Sequence, residues 1–224
     1  MARSRPVLAV YLEQGAKKTF ACAADWPGWC RSGKTDDAAI ATLLAYADRY
    51  AAVAAEAGLA RPRVDAAAGG EGVEVLERVA GSATTDFGAP GSVSELDRAD
   101  LDEAGAERLV ALLQASWVLF DRVVAGAPAE LRKGPRGGGR DRDKIVEHVL
   151  GAEAGYARQI GVRRPQPDPA DRAAIEELRA ALVAAVTHPD AETSGPKRWP
   201  PRYAVRRIAW HVLDHAWEIE DRAG

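Results

Sequence analysis

Residues 210–222 read WHVLDHAWEIEDR, and the way this stretch folds decides the architecture of the C-terminal half. Apolar residues Val205, Ile208, Val212 and Ile219 recur at helical spacing, which predicts a helix from about Arg202 to Arg222. His211 and His215 fall on or beside that stripe. Being four residues apart, they project from one face, one turn from each other. Two such nitrogens can reach one metal ion, although a pair at this spacing is also read as ordinary packing or surface chemistry.

Working back from this helix, the same periodicity predicts three more. Residues 188–201, HPDAETSGPKRWPP, form a loop; His188 lies in it, before Pro189, and is set aside. A helix is expected from about Pro169 to Val186, with Asp168 and Pro169 as start signals and Ile175, Leu178, Leu182 and Val186 facing inward. Before it, IVEHVLGAEAGYARQI (145–160) reads as a helix capped by Asp141 or Asp143, with Ile145, His148, Val149, Ala152, Tyr156 and Ile160 inward. The basic, glycine-rich RKGPRGGGRDRDK (132–144) lacks a Walker pattern and reads as a mobile loop or, less simply, an anion-binding one. From Asp100, residues Leu109, Leu112, Leu113, Ser116, Phe120, Val123 and Val124 mark a long helix that ends at AGAP. Four helices joined by loops predict a bundle.

If the second and fourth helices pack together, His148, His211 and His215 converge. Three neutral nitrogen donors with one open position are the arrangement of a catalytic zinc-type site, and nickel or iron would also accept them. Burying three imidazoles without partners costs on the order of 1–3 kcal/mol each, which a metal removes. Glu218, three residues beyond His215, is a candidate fourth ligand, an acceptor for an imidazole N–H, a catalytic base, or a surface charge paired with Arg222. Trp199, Trp210 and Trp217 read as packing residues, or as the lining of a cofactor site.

The N-terminal part follows another period. Val7 to Leu12 and Lys18 to Ala23 read as strands around a turn at GAKK, and DWPGW reads as a turn because Pro27-Gly28 breaks regular structure. Thr35 caps a helix that carries Asp36 and Asp37 in its first turn and Ala39, Ile40, Leu43, Leu44 and Ala47 at helical spacing. Val73 to Val79 alternates as a further strand, able to extend the sheet, and SATTDFGAPGS (82–92) reads as an ordered linker or a pocket-lining loop. The fold class is therefore α+β: a sheet-plus-helix module over residues 1–98, then a four-helix bundle over 99–224.

Composition bounds the function. The chain has 224 residues, 47% hydrophobic, enough for two cores. A net charge of −3 argues against nucleic acid as an obligate partner. No run of 18 apolar residues predicts a membrane span. The basic, briefly apolar start MARSRPVLAVYLEQG meets Glu13 too early for a signal peptide, so the expected location is cytoplasmic. In that compartment Cys22 and Cys30 are expected as two reduced thiols rather than a disulfide.

Two resemblances add to this reading. Asp25-Trp26-Pro27-Gly28-Trp29-Cys30, Ser32-Gly33-Lys34-Thr35 and Asp37-Ala38-Ala39, within residues 6 to 55, resemble the HicB-like fold, whose members are often binding or antitoxin modules beside a DNA-binding segment. No such segment is evident, so that role does not carry over. Residues 100 to 222 resemble the DinB-like four-helix bundles, through Lys144 to Glu153 around His148 and through His211-Val212-Leu213-Asp214-His215. That resemblance implies a divalent metal on His148, His211 and His215. It also implies thiol-dependent S-transfer or isomerisation with bacillithiol or mycothiol. Mycothiol is the better guess for a chain rich in Ala, Arg and Gly, and Arg140 and Arg207 are candidates to hold its polar groups. Members often carry Gln where this chain has Glu218.

The expectation is thus an enzyme acting on an electrophilic small molecule as a transferase, isomerase or hydrolase. The alternative is a non-catalytic, metal-stabilised binding or regulatory module. An exposed bundle face could pair two copies into a homodimer, with no pattern to locate it.

Overall fold

The computed structural model describes residues 8–60, 64, 72–134, 138–189, 195 and 197–224. The chain is α+β and divides into two compact units, Met1–Asp100 and Leu101–Gly224.

The first unit is built on a four-stranded sheet. Strands β1 (Leu8–Gln14), β2 (Thr19–Ala23) and β3 (Cys30–Gly33) form an antiparallel meander, and β4 (Val73–Ala80) pairs parallel with β1, giving the order β3-β2-β1-β4. A parallel return needs a crossover, and helices α1 (Asp36–Ala45) and α2 (Ala47–Glu56) lie in it. β1 runs in the middle of the sheet, so five of its seven residues are buried and its apolar run is nearly continuous. β4 lies at the edge and alternates between half-buried and exposed. Val7, expected at the head of the first strand, lies outside the described residues.

Thr35 caps α1 as expected, its hydroxyl accepting from the Ala38 amide. A Cβ at Gly33 would collide with the backbone of Ala38 and Ala39, so the start of α1 can close on β3 only over glycine. The predicted turn residues 25–29 do more than turn. Trp29 is fully buried, its indole N–H donates to the Leu43 carbonyl at 2.8 Å, and its ring stacks on Tyr50 at 5.1 Å. The Tyr50 hydroxyl donates back to the Pro27 carbonyl.

The expectation of free thiols is corrected: Cys22 and Cys30 form a disulfide. The register explains it. The two residues are direct partners across β2 and β3, with Cα atoms 4.1 Å apart. Residues 82–92 are ordered, but not as a plain loop. They include a one-turn helix, α3 (Ala83–Phe87), capped by Ser82 and Thr85. The segment is pinned by Glu13, whose fully buried carboxylate accepts from the Thr85 hydroxyl and from the Gly91 and Ser92 amides. A second short helix, α4 (Glu95–Arg98), follows.

The second unit is all helical: α5 (Glu103–Gly126), α6 (Arg142–Gln159), α7 (Arg172–Thr187) and α8 (Pro201–Ala223). α8 packs on α5 and α6, and α7 packs on the same two, closing a four-helix ring around one core. Val205, Ile208, Val212 and Ile219 of α8 are all buried, each contributing about 1.5–3 kcal/mol relative to exposure. Trp210 and Trp217 are buried too. Over an 18-residue window α5 reaches a mean hydropathy of 1.5, long and apolar enough for a membrane span, yet half of that window is buried in the unit.

α7 starts later than its sequence signals suggest. Asp168 accepts from the Ala170 amide in a preceding turn, while Asp171 caps the helix by accepting from the Ala174 amide. Two aspartates three residues apart offer the same local bond, and the second one makes the cap.

Candidate metal centre

α6 carries His148 and α8 carries His211 and His215, and the packing of these two helices brings the three rings together. One ligand nitrogen from each lies within 4.8 Å of the others. Ring centroids are 5.0 Å apart for His148–His211, 5.0 Å for His148–His215 and 4.7 Å for His211–His215. The Nε2 atoms of His148 and His211 are 3.2 Å apart. Two nitrogens bound to one tetrahedral ion at about 2.0–2.1 Å would stand about 3.3 Å apart, so this pair has the spacing that shared coordination requires.

The environment favours the neutral form of His148 and His211. Burial first, then the charges of His215 and His148, pushes His211 well below its ordinary pKa; burial, then His215 and Arg140, lowers His148. A neutral imidazole is the ligating form. His211 is the most enclosed of the three, and its buried Nδ1 has no hydrogen-bond partner among the described residues. Two Nε2 lone pairs facing each other across 3.2 Å must share a proton or a cation. The donor set suits zinc, nickel or ferrous iron.

Glu218 sits behind His215. Its Oε2 is 2.8 Å from His215 Nδ1, and its Oε1 accepts from Arg222 at 2.6 Å. The hydrogen bond from His215 above all, opposed by burial and aided by Arg222, lowers the Glu218 pKa and keeps the carboxylate ionised. Two of the roles open to Glu218, acceptor for an imidazole N–H and partner of Arg222, are thus filled at once. Arg222 in turn donates to the Arg132 carbonyl, and Arg132 donates to the carbonyls of Asp221 and Gly224. The end of α8 is clamped by the segment that leads into the glycine-rich stretch.

The two candidate arginines occupy different surroundings. Arg140 is exposed and lines, with His148, a cavity of about 720 Å³. Arg207 lies over the rings of Tyr156, at 5.3 Å, and Trp210, at 4.8 Å. Charge from both reaches His211. Of the glycine-rich segment expected to be mobile, residues 135–137 lie outside the described residues, as do residues 190–194 and 196 of the loop before α8.

Two residues join the site beyond those proposed for it: Tyr156, expected only as an inward residue of α6, and Gln166. Tyr156 meets His211 edge-on at 5.8 Å, and burial raises the pKa of its hydroxyl against the pull of Arg207. Its position eight residues after His148, on the same face, was the available signal. The cavity draws Gln166 from the α6–α7 connection, which no periodicity marks.

Set against known proteins, the chain matches no protein-family model, no curated protein and no solved structure.

Proposed function

We propose that the chain is a DinB-like, metal-dependent enzyme in which His148, His211 and His215 hold one divalent ion, and that it uses a small thiol of the mycothiol kind to transform an electrophilic small molecule as an S-transferase, isomerase or hydrolase. In this reading the N-terminal unit is a HicB-like module attached to the catalytic one. The observation that carries the proposal is the convergence of three nitrogen donors from two helices within 4.8 Å.

An ion bound there would favour the ionised form of a thiol or water and polarise a substrate oxygen. The protein's own groups do the positioning. Glu218 accepts the His215 Nδ1 proton, which fixes the ring and leaves its Nε2 for ligation. Arg222 engages the other Glu218 oxygen. With both oxygens committed, Glu218 acts as a positioning residue rather than as a base or fourth ligand. That supports an open coordination position, the mark of catalytic rather than structural sites. Tyr156 and Arg207 wall the cluster beside His211.

The test is thiol consumption by the untagged chain with mycothiol and a panel of small electrophiles, 1-chloro-2,4-dinitrobenzene and an epoxide among them. Turnover is expected that disappears with a chelator, returns with zinc, and is absent in His148→Ala. Metal binding without any turnover that chelation removes would overturn the enzymatic reading in favour of a metal-stabilised binding module.

A further inference from the structure

The cavity beside His148 is lined by Gly139, Arg140, Asp141, Lys144, Glu147, Gly151, Ala152 and Gln166. Its volume of about 720 Å³ falls within the range of small-molecule sites, about 300–1,000 Å³. Most charges on its wall are matched. Asp141 accepts from Lys133 Nζ at 2.5 Å and from the Leu131 amide. Lys144 pairs with Glu147 at 2.7 Å, and Gln166 donates to the Glu147 carbonyl. Arg140 is the exception: among the described residues its guanidinium has no hydrogen bond or ion pair. One unbalanced cation therefore stands on the wall that also presents His148.

Small residues line the cavity on the far side of His148. Gly151 and Ala152 occupy the turn of α6 that follows His148, and a Cβ at Gly151 would come 2.9 Å from Gln166 Oε1. His148 lies six positions along α6 from Arg142, about 9 Å of rise. Arg140 stands just before that helix, lines the same cavity as His148, and its charge acts on that ring.

We propose that this cavity binds a small molecule bearing a carboxylate, with Arg140 as the residue that holds the carboxylate while the reacting end reaches the histidine cluster. The inference rests on the metal-site reading and names the substrate class of that site. A guanidinium matches a carboxylate with two parallel hydrogen bonds, which an ammonium cannot do.

The test uses the untagged full chain loaded with cobalt(II), whose visible spectrum changes when a thiol enters its coordination shell. Three thiols of similar size are titrated: 3-mercaptopropionate, neutral 2-mercaptoethanol and cationic cysteamine. Comparing parent with variant for each thiol cancels their differences in acidity. In Arg140→Gln, the affinity for 3-mercaptopropionate is expected to fall about tenfold, as loss of a charge-assisted hydrogen bond at a partly exposed site implies. The neutral thiol should stay within about twofold of the parent, and Arg140→Lys should fall between. Equal losses for all three thiols, or none, would overturn the proposal.

A second arm, on the metal-free chain, reads contact of propionate and 1-propanol by saturation-transfer NMR. Propionate contact that is weakened in Arg140→Gln supports the carboxylate site even if cobalt fails to bind, in which case only the metal reading falls. Propionate contact unchanged by the substitution sinks the carboxylate site.

Discussion

His211 concentrates the chemistry of the site in one side chain: buried, neutral, and facing His148 across 3.2 Å. Its depressed pKa has a consequence for the metal-free protein. In the unfolded chain its imidazole titrates near the ordinary value, about 6.5. Below that pH the unfolded state binds more protons than the folded one, so stability falls as pH falls toward the folded pKa. Chemical denaturation of the chelator-treated chain should show a lower midpoint at pH 5.5 than at pH 7.5, by no more than about 1.4 kcal/mol per pH unit for each such histidine. In His211→Asn the pH dependence should flatten; an unchanged slope would remove His211 as its source. Glu218 predicts differently. Glu218→Gln keeps the shape but weakens the hold on His215, and zinc affinity should drop about 10- to 100-fold with little change in fold, as removal of a ligand's supporting acceptor does. An isotherm identical to that of the parent would show that the carboxylate does not support the metal. In the other unit, Glu13→Ala leaves the Thr85 hydroxyl and the Gly91 and Ser92 amides without their acceptor. A loss of about 2–4 kcal/mol in urea denaturation is expected, while a change below about 0.5 kcal/mol would mean water replaces the carboxylate freely.

At the scale of elements, periodicity is what made the bundle legible. α7 and α8 bury the apolar stripes that their spacing marks, α5 buries its stripe up to Phe120 and α6 buries Ile145, Val149 and Ile160 of its own with Ala152 and Tyr156 half-buried, and the stripe of α6 carries His148 toward α8. The paired histidines of α8 were readable for the same reason, since helical spacing fixes direction. Contacts between distant segments were not readable. The helical turn at 83–87 depended on Glu13, about 70 residues upstream and in another element. Nothing in either segment alone carries that information. The disulfide is a matter of register: eight residues apart in sequence, Cys22 and Cys30 become opposite only once β2 and β3 pair. Closing a loop of that length is worth about 2–3 kcal/mol in the chain-entropy account. A thermal melt of the untagged chain should therefore shift downward with reductant, and the shift should vanish in a Cys22→Ser, Cys30→Ser variant. Equal melting with and without reductant would contradict the pairing.

For the molecule as a whole, the two units have separate cores and only the helical one contains the histidine cluster. A ligand that binds only the folded state stabilises what it binds, by about 2.7 kcal/mol at 100 times its dissociation constant. Added zinc should slow amide exchange in α6 and α8, by up to about 100-fold where global opening governs it, and leave β1 to β4 unchanged. Uniform protection across both units would place the effect elsewhere. The central claim is that three imidazoles share one cation, and elemental analysis of untagged protein tests it most directly. About one equivalent of zinc, nickel or iron per chain is expected in the parent, and essentially none in His211→Ala. Equal metal in both proteins, or none in either, would contradict it.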